Sequence, residues 1–435
     1  MDAFLPPRAL HGTLIDSRPF GAIAAAAVAP PSAPRLPRDA HSRPLLLDTT
    51  MFWSATGGGV RRYLLTKRDW LASGQPLQRD ALRPLWRHAI AAPGLDPSIG
   101  LDLGGVPLPG SGGYRLVLGR RAAARAMAAL APDVIEAGDP FRLAWAALDA
   151  GQSLGVPTVA FCHSDLPAMA ECCAGRHALA RRHARHAAER YLRHVYREFD
   201  LVLAPGRALA ERLGALGLAR VRQQPMGVDT AVFRPQPAEP GLRERLGLAP
   251  ATKLLLYAGR FAPEKNLGLL VEALKRLGPE HALLLVGAGP ARPSAHERVR
   301  VLPYEPDPPA LARLMAGVDA FVHAGDQETF GIAPLEAMAC GTPVVVRAAG
   351  GLAEICAPGA GLAIDSARPD AWAEAIRSVC SVPRERWARA ARQHALQFRW
   401  DRMLPRLLGH YDALLGLKPV ASLAAHDASI AWQGP

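Results

Sequence analysis

The chain has 435 residues, with 51 Lys and Arg against 39 Asp and Glu, a net charge of +12 and 49% hydrophobic residues. That length exceeds one compact core and fits two domains with a linker, while the apolar content excludes a largely disordered protein. The charge points to an anionic partner, whether nucleic acid, membrane surface or phosphorylated substrate, but arginine supplies most of it, as a GC-rich genome also would, so charge alone does not choose. The longest apolar runs fall well short of the roughly 18–20 residues of a membrane-spanning helix. Cys162, Cys172, Cys173, Cys340, Cys356 and Cys380 form no C-x-x-C pair, which argues against a disulfide framework or structural zinc and fits a reducing cytoplasm.

Residues 1–43, rich in Ala, Pro and Arg, read as a disordered leader. The stretch GAIAAAAVA at 21–29 resembles a signal-peptide core, but it follows Asp2, Arg8, Asp16 and Arg18 with no basic start before it. From Arg43 short apolar runs alternate with longer helical stretches, the pattern of parallel α/β units. Strands are predicted at 45–48, 133–136, 156–161 and 200–204, then at 253–258, 282–286, 299–302, 319–323 and 343–346. Each half thus holds its own parallel sheet: a first domain at 44–222 and a second at 241–399. The Pro/Gly-rich turn cluster QQPMGVDTAVFRPQPAEP at 223–240 is the predicted linker. A terminal helix is predicted at 400–416, interrupted by Pro405, and 417–435 reads as a disordered tail.

Several positions carry chemistry. Gly57, Gly58 and Gly59 follow the first strand and precede a helix with Arg61, Arg62 and Tyr63. Asp139 follows the strand DVIEAGDP and points toward the ends of the strands, where open α/β sheets bind ligands. His163 closes the strand VPTVAFCHSD, a place where a hydrogen-bonded structural histidine is the commoner outcome. In the segment 176–199, Arg182, His186, Arg190, Arg193 and Arg197 form one stripe, with Leu179, Ala187, Tyr191, Val195 and Phe199 opposite. Either this is a core-packed helix with a solvated basic face, or it docks on anionic lipid headgroups. In YAGRFAPEKNLGLLVEALKRL, residues 257–277, Arg260 and Lys265 flank a loop between a strand and a helix beginning near Asn266. Cations at a strand's carboxyl end can neutralise a diphosphate, although an isolated pair would more often be incidental.

The densest stretch is DAFVHAGDQETFGIAPLEAMACGTPVVVRAAGGLAEI, Asp319 to Ile355. It reads as a buried strand, a polar loop, a helix opened by Pro334 and closed by Gly341, a second strand and a Gly-Gly turn. Glu328 sits in the loop and Glu336 in the helix's first turn, eight positions apart. Ionised carboxylates are pure acceptors, each able to take two hydroxyl donors, and a helix N-terminus between them favours phosphate. A sugar, a diphosphate and a ribose laid end to end satisfy all three, which describes a nucleotide-sugar. Gly331, Gly350 and Gly351 lack a Cβ and let backbone N–H groups approach such a ligand.

The run from Glu328 to Glu354 resembles the signature of the retaining glycosyltransferases of family 4 (glycosyl transferases group 1), E-x-F-G-x-x-x-x-E-A-M-A-x-G-x-P-V-V followed by G-G-x-x-E. P-x-G-V-D-x-x-x-F-x-P in the linker and G-R-x-x-P-E-K-N after the fifth strand resemble other segments of that family. The resemblance implies a GT-B architecture, two Rossmann-like domains facing each other across a cleft, with the terminal helix crossing back to brace the first. It implies transfer of a hexosyl unit from GDP-mannose or a UDP-hexose to a hydroxyl on a lipid-linked or polysaccharide precursor. Arg260 and Lys265 would then hold the two phosphates, Glu328 the sugar hydroxyls and Glu336 the ribose, with Gly58, Gly59, Phe330, Gly331 and Ile332 also lining the donor site. His163 would contact the transferred sugar and Asp139 the acceptor. The acid that usually precedes the aromatic in the family's G-G-x-x-x-Y region is Arg62 here, so no catalytic role passes to it. No D-x-D occurs, and the reading carries no metal, no cofactor and no nucleic acid; a cytoplasmic enzyme with peripheral membrane contact is expected. The same fold also serves epimerases and phosphorylases, and a non-catalytic basic binding protein is the different class, without RNA-binding aromatic motifs or C2H2 spacing to support it.

Overall fold

The computed structural model describes residues 43–417 except 55–57, 74–85, 110, 112 and 176. Residues 1–42 of the expected leader, Gly57 and the expected tail after 417 lie outside the described residues.

The first half contributes β1 (Leu45–Thr49), β2 (Arg87–Ala92), β3 (Leu101–Asp102), β4 (Val106–Pro107), β5 (Arg115–Leu116), β6 (Val134–Ala137), β7 (Thr158–Phe161), β8 (Leu201–Ala204) and β9 (Val221–Gln223). The second contributes β10 (Lys253–Ala258), β11 (His281–Val286), β12 (Val299–Leu302), β13 (Ala320–His323), β14 (Val344–Arg347) and β15 (Gly361–Ile364). The first half builds a seven-stranded sheet of order β3-β2-β1-β6-β7-β8-β9, and the second a six-stranded sheet of order β12-β11-β10-β13-β14-β15. Every pairing within both is parallel, while β4 and β5 form a separate antiparallel hairpin. Near-continuous apolar strands such as Lys253–Ala258 (KLLLYA) are buried on both faces by flanking helices, as parallel sheets require.

In each sheet the order reverses beside the first strand, between β1 and β6 and between β10 and β13. Helices leave in opposite directions at such a point and open a crevice at the carboxyl ends. The loops after β1, β6, β10 and β13 carry Gly58, Asp139, Lys265 and Glu328. Topology alone therefore collects the residues singled out by sequence.

Four strands of the sheets went unpredicted. β2 (RHAIAA) is alanine-rich, and β3 and β9 are only two and three residues long. β15 opens on Gly361, where a Cβ would lie 2.0 Å from the Val344 carbonyl. Their strand character comes from pairing with a buried neighbour rather than from propensity.

The terminal helix Trp400–Leu414 runs unbroken through Pro405, correcting the expected interruption. Proline in a helix interior costs roughly 3 kcal/mol, and here burial of Met403, Leu404, Leu407, Leu408 and Tyr411 offsets it. The helix is pinned to the first domain: Gln224 donates to the Met403 carbonyl at 3.1 Å, Arg406 to the Gln223 carbonyl at 3.1 Å, and Trp86 to Asp412 at 3.1 Å. Trp400 lies over Gly227, where a Cβ would come within 2.4 Å of the indole.

Beneath that helix lies a buried charged network. Lys67, fully buried, donates to Asp48 at 2.9 Å and Glu136 at 3.0 Å. Tyr63 donates to Glu136 at 3.0 Å, Tyr411 reaches its other oxygen, and His88 meets Asp48 at 2.5 Å. Two carboxylates share one lysine, so their affinities for a proton diverge. Burial pushes Glu136 up to about 7 against the pull of Lys67, while Asp48 goes down to about 2 because Lys67 and His88 together outweigh its burial. Glu136 holds a proton more tightly folded than unfolded. Its stabilisation is complete below about 4.5 and is lost as pH rises through about 7. The thermal midpoint is expected to fall between pH 5.5 and 8, and Glu136→Gln to flatten that slope; an equal slope in the variant would remove Glu136 as its source.

The helix Ala178–Tyr196 is turned relative to the expected stripe. Ala188, Leu192, Val195, Tyr196 and Phe199 are buried, whereas Leu179 is 72% and Tyr191 36% exposed. Arg181 and Arg185 pair with Glu171, and Glu189 takes Arg185 and His186. Part of the basic face is thus neutralised locally, and the apolar face packs on the core.

Candidate active site

Glu328 lies in the loop after β13, and its carboxylate is held from two sides. Lys265, at the end of the short 3-10 turn Pro263–Lys265, pairs with Oε1, and His323 Nε2 sits 3.1 Å from the same oxygen. His323 Nδ1 accepts from the Gly325 N–H at 3.1 Å, so Nε2 carries the proton and donates to Glu328. Burial opposes ionisation of Glu328, but Lys265 and His323 overcome it and hold the carboxyl well below its usual range. Lys265 is presented by a tight backbone: Asn266 takes a left-handed conformation at φ +52° and its side chain donates to the Ala324 carbonyl at 3.1 Å. This ties the loop after β10 to the loop after β13. Arg260, by contrast, is exposed, with Glu264 4.0 Å away.

Glu336 lies in the helix Ile332–Ala339, in its second turn rather than the expected first, and is 2% exposed. The helix starts at Ile332, two residues before Pro334, and is capped by Gly331, whose φ of +99° favours glycine. Arg62, from the first domain, reaches across the cleft to pair with Glu336 and lies over the Phe233 ring at 5.7 Å. Burial pushes the Glu336 carboxyl up, with Arg62 acting against it. Gly59 belongs to the same crossing, because a Cβ there would fall 2.9 Å from Ile332 Cδ1, whereas Gly58 caps the helix Gly59–Ala72 in open space. Phe330 is buried against Phe398 at 5.8 Å, in the core beneath the site.

The expected Gly-Gly turn is the start of a helix, Gly350–Ile355. Gly351 donates its N–H to the Glu328 carbonyl at 2.8 Å, and a Cβ there would meet the Phe330 backbone at 2.4 Å. Its absent side chain serves loop packing rather than ligand approach, and through it the helix fixes Glu328.

In the first domain, His163 stacks on Phe161 at 4.2 Å and lies against Tyr63 at 5.1 Å. Its Nε2 is buried and has no hydrogen-bond partner among the described residues. Burial drives its pKa down to about 3, so the ring is neutral near pH 7. Its backbone carbonyl accepts from Thr329 at 2.8 Å, placing it one residue from Glu328 across the cleft. Asp139 is 2% exposed and spent internally, taking Thr50 Oγ1 at 3.0 Å and the N–H groups of Met51 at 2.6 Å and Phe141 at 3.1 Å. It fastens the loop after β6 to the loop after β1 instead of pointing into the cleft.

The site thus joins Lys265, Glu328 and Glu336 of the second domain to Arg62 and His163 of the first. Sequence reading assigned nothing to Arg62, His323 or Thr329. His323 had a signal, for F-V-H closes β13 as F-C-H runs from the last residue of β7 into its loop. Among the described residues no group of three His, Cys, Asp or Glu side chains is placed to hold a metal ion, and no helix is long and apolar enough to cross a membrane.

Two parallel-sheet domains with a cleft between their strand ends define the GT-B class of glycosyltransferase. The profile of "Glycosyltransferase Family 4" matches residues 58–232 and that of "Glycosyl transferases group 1" residues 239–394, and the chain belongs to this family. It is 35% identical to a GDP-mannose-dependent alpha-mannosyltransferase of Mycobacterium tuberculosis (strain CDC 1551 / Oshkosh), over 67% of this chain and 76% of that protein. It is 32% identical to the GDP-mannose-dependent alpha-(1-6)-phosphatidylinositol dimannoside mannosyltransferase of the same species (strain ATCC 25177 / H37Ra), over 71% and 80%. Among solved structures, sucrose-phosphate synthase from Thermosynechococcus elongatus superposes with a TM-score of 0.68 at 20% identity, covering 86% of this chain and 99% of that one. Anabaena HepE in complex with UDP-glucose gives 0.65 at 20%, covering 85% and 100%. The protein is a hexosyltransferase that uses a nucleotide-sugar donor.

Proposed function

We propose that the protein moves a mannosyl unit from GDP-mannose to a hydroxyl of a lipid-linked acceptor, with retention of configuration. The carrying observation is that Lys265 pairs with Glu328 while Glu336 meets Arg62 from the opposite domain; the reading assigns the sugar to Glu328 and the ribose to Glu336. The relatives that act on GDP-mannose support this donor over a UDP-hexose, and the phosphatidylinositol-linked acceptor of one supports a lipid. The β4–β5 hairpin, which exposes Val106, Leu108, Leu116 and Leu118 beside Arg115 and packs Tyr114 on Phe52 near the β1 loop, suits an acceptor with an apolar part at the membrane surface better than the helix Ala178–Tyr196.

In this reading the sugar hydroxyls bind Glu328 and the free Nε2 of His163, and the diphosphate binds Lys265, Arg260 and the N–H groups opening the helix Ile332–Ala339. Arg62 shares Glu336 with the ribose. Among the described residues, Glu328 Oε1 is held by Lys265 and His323 and Asp139 is spent on Thr50, Met51 and Phe141, so neither is assigned as a nucleophile in this reading. The acceptor oxygen therefore enters on the face the leaving phosphate vacates, and that phosphate takes its proton. The cations and the helix N-terminus carry the leaving-group charge, so neither metal nor cofactor is required.

Turnover of GDP-mannose and of UDP-hexoses, measured with and without excess EDTA, tests this reading. GDP-mannose consumption that persists in EDTA is expected. Turnover of UDP-hexoses alone would replace the donor, and complete loss in EDTA restored by Mn²⁺ or Mg²⁺ would refute the metal-free mechanism.

A further inference from the structure

Glu354 closes the G-G-x-x-E string, and its carboxylate reaches the first domain. Its two oxygens accept from the backbone N–H groups of Arg207 at 2.6 Å and Ala208 at 2.7 Å, both in the first domain. These N–H groups open the helix Arg207–Ala215, whose N-cap, Gly206, offers no side chain of its own. A helix N-terminus left with free donors is satisfied by an anionic acceptor, and here the acceptor comes from the opposite wall of the cleft. A second crossing lies beside it, where Thr329 donates to the His163 carbonyl at 2.8 Å. The two crossings share one rigid unit, because Gly351, in the first turn of the helix bearing Glu354, donates to the Glu328 carbonyl at 2.8 Å.

We propose that Glu354 is a positioning residue that clasps the two domains shut and so sets the separation at which His163 faces the Glu328 sugar pocket. The clasp acts through Glu328's backbone, and both Glu354 oxygens are taken by N–H groups of the first domain. Gly206 is its counterpart. Its backbone is extended, at φ −121° and ψ 157°, which alanine adopts freely, but a Cβ there would lie 3.0 Å from both Glu354 Oε1 and the Thr329 carbonyl. A methyl group at this position wedges the clasp without touching Glu354 chemically.

The effect on turnover rests on the function proposed above; the effect on shape does not. Full-length Glu354→Gln and Gly206→Ala are compared with the parent protein by small-angle X-ray scattering, GDP titration and steady-state transfer. Glutamine can accept only one of the two N–H groups and presents its own donor to the other. Both variants are expected to give a larger radius of gyration and a kcat lowered by about tenfold or more, with GDP affinity held within about twofold. An unchanged radius with kcat within about twofold, even with a lower thermal midpoint, would overturn the clasp. So would a loss of GDP affinity equal to the loss in kcat, since Glu354 would then act on the donor. A parent protein that ignores GDP refutes the donor assignment and leaves the scattering result to decide the clasp.

Discussion

Replacing Lys265 by alanine is expected to lower turnover by about two to three orders of magnitude, the usual consequence of removing one preorganised charge from a transition state. Lys265 does two things at once. In the proposed reading it binds the diphosphate, and in the structure it is the ion-pair partner that keeps Glu328 ionised against burial. Its loss leaves a largely buried carboxylate with only His323 beside it, so the sugar end of the pocket suffers with the phosphate end. Arg260→Ala should also lower turnover, by less and with little cost in stability, because Arg260 is exposed and its contact to Glu264 is long at 4.0 Å. Steady-state kinetics with thermal melts on both variants check this. Turnover of Lys265→Ala within about twofold of the parent would remove it from the leaving-group site.

The second large effect separates the ends of the ligand. Glu336→Gln keeps the shape but removes the charge that pairs with Arg62 and, in the proposed reading, binds the ribose, so affinity for GDP and for GDP-mannose should both fall by about tenfold or more, the worth of one charge-assisted hydrogen bond. Glu328→Gln removes the charge at the proposed sugar end and releases Lys265 from its ion pair, so GDP affinity should hold or rise while transfer falls. Titrating each variant with the diphosphate and with the donor reads this polarity directly. Loss of GDP binding in Glu328→Gln with retention in Glu336→Gln would reverse the ligand in the cleft.

Local sequence determined a good deal by itself. The apolar runs LLLD, TVAF, LVLA, KLLLYA, ALLLV, AFVH and VVV were legible as strands, since burial on both faces of a parallel sheet demands near-continuous apolar side chains. Glu328, Lys265 and Glu336 were legible because their motifs are short-range strings on single strand–loop–helix units. What the sequence could not decide was everything that depends on a partner far along the chain. Strands β2, β9 and β15 exist because buried neighbours pair with them, and the helix Trp400–Leu414 survives Pro405 because the first domain packs along it. Asp139 and Arg62 differ for the same reason. Asp139 turned inward because three donors from loops up to 89 residues away converge on its carboxylate. Arg62 gained a role only when domain closure brought it to Glu336, 274 residues away. Burial, charge pairing and the crossings of the cleft are properties of the closed molecule, set by which surfaces the two sheets bring face to face.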